Sequence, residues 1–303
     1  MSRATVVLVV GDLLYDMIST VERVAFGTDT FARIETSPGG SGANAAAWLA
    51  SEGLEVHFVG RVGDDVLGRY LVRDLEAVGV TPRLRFDAEL PTGKVFILVD
   101  GTGERTMITD RGASEALSPE DLQAFPFTHL HLTAYTFSTT SRRETALEAL
   151  SLARENGATI SADPSATPLL EDLTAERFLG WTGGIDILFP NLEEGAALTG
   201  RRDPASIAET LLEHYRAVVL KLGPDGALYA DREGGYHRFP ATSVPGAGGA
   251  GSPNSTGGGD ALCAGFLAAW LAGEDAENAL RKGLDLAARA ISQPGARPGF
   301  AER

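Results

Sequence analysis

The chain has 303 residues, with 26 Lys+Arg against 41 Asp+Glu and a formal net charge of −15. Its 44% apolar and 22% charged content is that of an ordinary globular protein, long enough for one large domain. The acidic balance argues against a polyanion-binding surface and predicts no nucleic-acid partner, and the single Cys263 excludes an intrachain disulfide or a Cys-based zinc cluster.

The first element in chain order is Thr5–Val10, a β-branched run that reads as a strand buried on both faces, cut short by Gly11-Asp12. That interruption rules out a signal peptide. Comparable strand runs recur at 56–59, 95–99, 129–132, 158–161, 185–189 and 217–220. Between several of them lie amphipathic segments of helical length. Leu67, Leu71, Leu75 and Val78 mark one within 65–78, stopped by Gly79, and others cover 141–156 and 203–215. This alternation predicts an α/β fold with a doubly wound parallel sheet. Two stretches, about 13–37 and 83–111, have short alternating patterns without a helical period and are expected to form a small β-lid outside the main sheet. The longest apolar stretch, Ala261–Ala272, falls short of the ~20 residues that cross a bilayer, so a soluble, cytoplasmic protein with no membrane partner is expected.

The Gly-rich tract Gly246–Gly251 fits G-x-G-x-x-G, but Pro245 before it and Ser252-Pro253 after it provide neither the strand nor the helix of a dinucleotide fingerprint. No glycine loop is followed by Lys-Ser or Lys-Thr. The stronger pattern is Thr256-Gly-Gly-Gly-Asp260, running into a helix whose Leu262, Phe266 and Trp270 share a face. Three glycines before a helix leave backbone N–H groups pointing beyond its N-terminus, which is an anion site. A first-turn acid alone explains Asp260, but it leaves the three glycines unexplained. A second cluster, Pro38-Gly-Gly-Ser-Gly-Ala-Asn44, opens a helix over 43–51 and lets a polyhydroxylated ligand approach the backbone, with Asn44 donating and accepting. Asp12 and Asp16 stand at the end of the first strand, where open α/β sheets place ligands, and two carboxylates there suit hydroxyl groups better than phosphates.

On these residues the chain resembles the ribokinase-like carbohydrate kinases, also called the PfkB family. One signature is similar to Gly39–Ala50 followed by Val59–Leu71, the other to Asn254–Gly265. Pro190-Asn191-Leu-Glu-Glu194 resembles the family's N-x-x-E, and Lys221-Leu-Gly-Pro-Asp-Gly226 its nucleotide loop. The resemblance spans almost the whole chain. It implies a single ribokinase-like domain over 1–303, an α/β/α core with a β-lid, and an ATP-dependent kinase acting on a hydroxyl of a small sugar or sugar acid. Asp260 would take the hydroxyl proton, and Gly257, Gly258 and Gly259 would form the hole for the transferred phosphoryl group. Asn191 and Glu194 would organise Mg²⁺, water and phosphates, and Lys221, Gly223 and Gly226 would lie along ATP. Asp16, Gly39, Gly40 and Asn44 would hold the sugar, with Asp12 a further contact. The resemblance also raises a monovalent cation as a second ion and a homodimer built through the lid. Arg105 and Arg111 flank the lid and lean the substrate towards a sugar acid. A nucleoside kinase is the alternative, with Phe96, Phe125, Phe127, Tyr135 and Phe137 available for a base. A non-catalytic sugar-binding regulator would be expected to have lost the aspartate or the glycines, and both are present. Against the family pattern, Asn254 stands where Asp is usual and Gly258 where Ala is usual.

Overall fold

The computed structural model describes residues 4–102, 104–123, 125–243, 257–293 and 295–298. The large sheet contains β1 (Val6–Val10), β4 (Glu55–Gly63), β5 (Val80–Asp87), β8 (His129–Thr133), β9 (Thr159–Asp163), β10 (Ile187–Leu188), β11 (Ala217–Lys221), β12 (Ala227–Asp231) and β13 (Tyr236–Phe239). A small sheet holds β2 (Leu14–Thr20), β3 (Ile34–Gly39), β6 (Thr92–Val99) and β7 (Arg105–Gly112), in the order β3-β2-β6-β7. The helices are α1 (Ser41–Ser51), α2 (Val66–Ala77), α3 (Thr140–Glu155), α4 (Thr167–Leu173), α5 (Ala175–Thr182), α6 (Leu192–Thr199), α7 (Pro204–Leu211), α8 (Gly258–Leu271) and α9 (Ala276–Ile291).

The large sheet runs β13-β12-β11-β10-β9-β8-β1-β4-β5, parallel except for the hairpins β11–β12 and β12–β13. Alternation along β1 divides its side chains between two cores. Val7 and Val9 join Trp48 of α1, Leu71 of α2, Phe266 of α8 and Leu280 of α9. Leu8 and Val10 join Leu150 of α3, Leu170 of α4, Phe178 of α5, Leu198 of α6 and Ile207 of α7. A strand with no solvent face has no place for polar alternation, which is why the run reads as continuously apolar.

The chain proceeds from β1 outward to β4 and β5 on one side, then from β8 through β11 on the other. The gap between β1 and β8 is therefore a topological switch point, and ligands bind outside the carboxyl ends of strands at such a place. Asp12, Thr133, Asp163, Asn191 and Lys221 all lie along that edge.

Helix boundaries follow local chemistry. Asp65 caps α2 by accepting from the Gly68 amide, Asp203 caps α7 through Ser206, and Asp275 caps α9 through Asn278. One boundary departs from expectation. The segment 83–87 was expected in the lid, but it completes β5, whose residues Val80–Asp87 pair in parallel with β4. Its outward charges, Arg83 and Arg85, gave it the look of a surface ribbon, and an edge strand tolerates such charges. The small sheet resumes only at Thr92.

Candidate active site

Asp260 lies in the first turn of α8, whose N-cap Gly257 has left-handed φ of 81°. An added Cβ at Gly257 would fall 2.4 Å from the Ala296 carbonyl oxygen, so this turn requires glycine on two counts. The Asp260 carboxylate accepts from Ser41 Oγ at 2.7 Å and from Asn44 Nδ2 at 3.0 Å. The two glycine clusters, more than 200 residues apart, thus meet at this one side chain. Burial, reinforced by Asp163, pushes Asp260 up to about 6, against the stabilising bonds from Ser41 and Asn44 and the charge of Lys221. A carboxylate so poised is ionised at neutral pH yet still basic enough to take a proton.

Asp16 on β2 is 5% exposed, and among the described residues no donor hydrogen-bonds its oxygens. Burial raises it to about 6, with Arg297 lowering it and Asp260 adding repulsion. A Cβ at Gly39 would fall 2.2 Å from Asp16 Oδ1, so the carboxylate rests directly on the glycine backbone. A buried carboxylate without donors is costly.

Asp12 departs from its expected role. Its two oxygens accept from Arg111 and Arg142, so it anchors a pair of guanidiniums and is not left free for a sugar. Arg142 is fully buried and also donates to the carbonyls of Tyr135 (3.0 Å) and Ser114 (2.9 Å). Arg111 lies over the Tyr135 ring, 4.2 Å from its centroid. Arg105 is not brought to this place. It pairs with Val99, while Asp110 pairs with Lys94 and Asp16 with Val95, which puts Arg105 at the far end of the small sheet. The aromatics considered for a base are mostly elsewhere: Phe127 and Phe137 are core, and Phe125 packs against His57 beneath Arg83.

Asn191 caps α6 and exchanges bonds with Glu194, accepting from the Glu194 amide and donating its own amide (2.8 Å) and Nδ2 (2.7 Å) to the carboxylate. N-x-x-E is therefore a capping box as well as a polar corner. Burial, opposed by Lys221 and reinforced by Asp163, raises Glu194 to about 7. Lys221, at the end of β11, donates to Asp163 Oδ2 at 2.6 Å. Burial lowers its pKa, but Asp163, Cys263 and Glu194 outweigh that and raise it overall. Asp163 also accepts from Cys263 at 3.3 Å.

A cleft of about 540 Å³ opens beside this corner. It is lined by Lys221, Gly223 and Gly226, by Gly258 and Gly259 of the α8 N-terminus, and by Leu284, Ala287, Ala288 and Ile291 of α9. An apolar slot leading to helix-terminal amides and a lysine suits a planar base followed by phosphates. Gly246–Gly251 and Asn254–Thr256 lie outside the described residues.

Sequence reading did not single out Ser41, Asp74, Arg142, Asp163 or Arg297. Asp163 had a usable signal, an acid just after a strand run, the same one that pointed to Asp12. Arg297, in the polar segment beyond α9, had none.

Residues 4–302 match the family described as pfkB family carbohydrate kinase. An ATP-dependent ribose-1-phosphate kinase from Halopiger xanaduensis is 33% identical over 297 residues, 96% of this chain and 93% of that protein. A fructokinase from Klebsiella pneumoniae is 32% identical over 276 residues, 86% of this chain and 82% of that protein. A putative ribokinase II from E. coli, solved in complex with ATP and Mg²⁺, superposes with a TM-score of 0.83 at 22% identity, covering 97% of this chain and 94% of that one. With both glycine clusters meeting at Asp260 and this match over nearly its whole length, the chain belongs to the pfkB family and is an ATP-dependent carbohydrate kinase that phosphorylates a hydroxyl of a small sugar.

Proposed function

We propose that the sugar lies between the small sheet and the Gly39–Asn44 turn, that ATP fills the cleft along α9, and that Asp260 takes the proton from the attacked hydroxyl. The observation that carries this reading is the position of Asp260 at the junction, bonded to Ser41 and Asn44 on the sugar side and one residue from Gly259 on the cleft side. Phosphoryl transfer asks chiefly for positioning and for stabilisation of spread negative charge. The amides at Gly257–Gly259 and Lys221 supply the latter, and Asp16, Asn44 and the Gly39–Gly40 backbone orient the acceptor.

The donor set also fits Mg²⁺. Asp163, Glu194 and Asp260 each feel the charge of Lys221, and Glu194 is raised mainly by its burial. Among the described residues no three acids or histidines come close enough together to hold a metal by themselves, so Mg²⁺ here would take most of its ligands from phosphates and water. When bound, Mg²⁺ neutralises charge on the phosphates, and Glu194 with Asn191 would hold its waters. Glu194→Gln keeps the volume and one of the two bonds from Asn191. The Mg²⁺ concentration for half-maximal activity should rise by roughly tenfold, while the bond lost from the buried capping box costs no more stability in a melting curve than the ~1–3 kcal/mol of one hydrogen bond. A magnesium titration superimposable on the wild type would remove Glu194 from this role. A monovalent cation remains a proposal of the family resemblance, tested by comparing turnover in potassium and tetramethylammonium salts.

Arg111, held by Asp12 and stacked on Tyr135, is the cation placed for an anionic substituent, which favours a sugar phosphate or sugar acid over a neutral sugar. Phe127 and Phe137 lie in the core and Phe125 packs on His57, which leaves only Phe96 and Tyr135 of the five for a base and speaks against a nucleoside. ADP release measured with ribose, ribose 1-phosphate, fructose, 2-keto-3-deoxygluconate and a nucleoside tests this. Fastest turnover of an uncharged acceptor would overturn it.

Ile34 (58% exposed) and Ile108 (62%) lie uncovered on one face of the small sheet, which supports a homodimer through that face. Light scattering should give twice the chain mass, falling to the monomer for Ile34→Lys/Ile108→Lys. A monomer at all concentrations would exclude it. No described helix is long and apolar enough to cross a membrane.

A further inference from the structure

Arg297 lies in the turn that follows α9 and is 6% exposed. Its guanidinium donates in three directions: Nε to Asn44 Oδ1 at 3.0 Å, one terminal nitrogen to Asp74 Oδ2 of α2 at 2.7 Å, and the other to the Gly39 carbonyl at 2.6 Å. The turn that carries it is itself pinned. Trp48 Nε1 donates to the Ala296 carbonyl at 3.0 Å, and Gln293 Nε2 donates to the Arg297 carbonyl at 2.6 Å.

We infer that Arg297 is a positioning residue of the phosphoryl-transfer site, setting the polarity of the Asn44 amide and the height of the Gly39 backbone so that Asp260 and Asp16 meet the sugar correctly. The inference rests on the assignment of Asp16, Asn44 and Asp260 to the sugar side. A guanidinium can only donate and an ionised carboxylate can only accept, so Asn44 wedged between them has one workable orientation: oxygen to Arg297, nitrogen to Asp260. Asp74, Arg297, Asn44 and Asp260 therefore form a single directed chain. Without the arginine the Asn44 oxygen loses its buried donor and the amide is held at one end only, by Asp260, so the donor to the base is less firmly placed. The Gly39 carbonyl is the second handle, since Asp16 rests against that residue. Asp74 balances the buried charge, because an unpaired guanidinium at this depth would be strongly unfavourable.

The cation also acts through space. Asp16 is faced by Arg297 and by Asp260 of α8, while Arg297 is flanked on α2 by Asp74 and Tyr70. Asp260 is faced in addition by Asp163 of β9, Lys221 of β11 and Tyr135. Removal of Arg297, which lowers Asp16, should move the acid limb of the sugar kcat/KM to higher pH.

The experiment compares Arg297→Lys, Arg297→Met/Asp74→Asn and Asp16→Ala, each assayed with ribose, ribose 1-phosphate, fructose and 2-keto-3-deoxygluconate, with ATP KM, pH profile and melting curve recorded. The double variant removes both charges of the pair. It should lower the sugar kcat/KM by about 10²-fold, shift the acid limb upward and leave the KM for ATP unchanged. Arg297→Lys keeps the charge but cannot span three acceptors, so it should lose about tenfold in the sugar kcat/KM while the acid limb stays in place. If the double variant does not fold, Arg297→Lys alone decides. A folded Arg297→Lys with wild-type sugar kinetics would overturn the inference. So would losses that reduce only the amount of active enzyme, leaving both KM values and the pH profile unmoved. An Asp16→Ala variant with unaltered sugar KM would instead overturn the underlying sugar-side assignment, whatever the arginine variants do.

Discussion

Asp260→Asn is expected to lower kcat by ~10²–10⁴-fold, the usual contribution of a positioned general base. The substitution is mild in shape. An Asn at 260 can turn its oxygen to Asn44 Nδ2 and its nitrogen to Ser41 Oγ, which accepts as readily as it donates, so both anchoring bonds survive. What disappears is the proton acceptor. The KM values for ATP and sugar should hardly move, because the lost interaction matters only as the hydroxyl gives up its proton. Loss of the negative charge also relieves repulsion with Asp163 and with the incoming phosphates, so ATP should bind no more weakly. In the wild type, kcat should fall as pH drops through about 6, where Asp260 becomes protonated, and that limb should vanish in the variant. If Asp260 were only a first-turn acid, Asp→Asn would cost under about 1 kcal/mol of stability and leave turnover intact. Steady-state kinetics together with a melting curve separate the two outcomes. A folded variant with near-normal kcat would sink the catalytic assignment.

Asp16→Ala should act on the other substrate. The carboxylate is buried with no donor among the described residues, and each charge-assisted bond it would accept from a sugar hydroxyl is worth about 1.5–3 kcal/mol. The sugar KM should rise by roughly ten- to hundredfold for each bond lost, with the KM for ATP unchanged. The apo protein should be no less stable, and is expected to melt slightly higher, since the substitution deletes a carboxylate whose burial, only partly offset by Arg297, disfavours its charge. A loss shared equally by ATP would place Asp16 on the nucleotide or metal side.

The sequence by itself determined the class of fold and both glycine clusters. Strands such as Val6–Val10 carry their burial in an unbroken apolar run, and helices such as α2 carry theirs in period and cap. Glycines before a helix and acids after a strand are local facts with local chemical meaning, and so Asp260, Gly257–Gly259, Asp16 and Asn44 were legible. Only the tertiary structure decided what each charge is paired with. Asp12 and Asp16 are four residues apart and look alike in the sequence, yet one anchors Arg111 and Arg142 while the other rests on Gly39 with no donor among the described residues. Arg105 and Arg111 likewise look equivalent, and strand register sends them to opposite ends of the small sheet. Arg83–Asp87 resembled lid ribbon because an edge strand shows solvent the same alternation that a separate small sheet would. Arg297 could not be read at all. A buried guanidinium is stable only where several elements bring acceptors to it, and its acceptors come from β3, α1 and α2, between about 220 and 260 residues away along the chain.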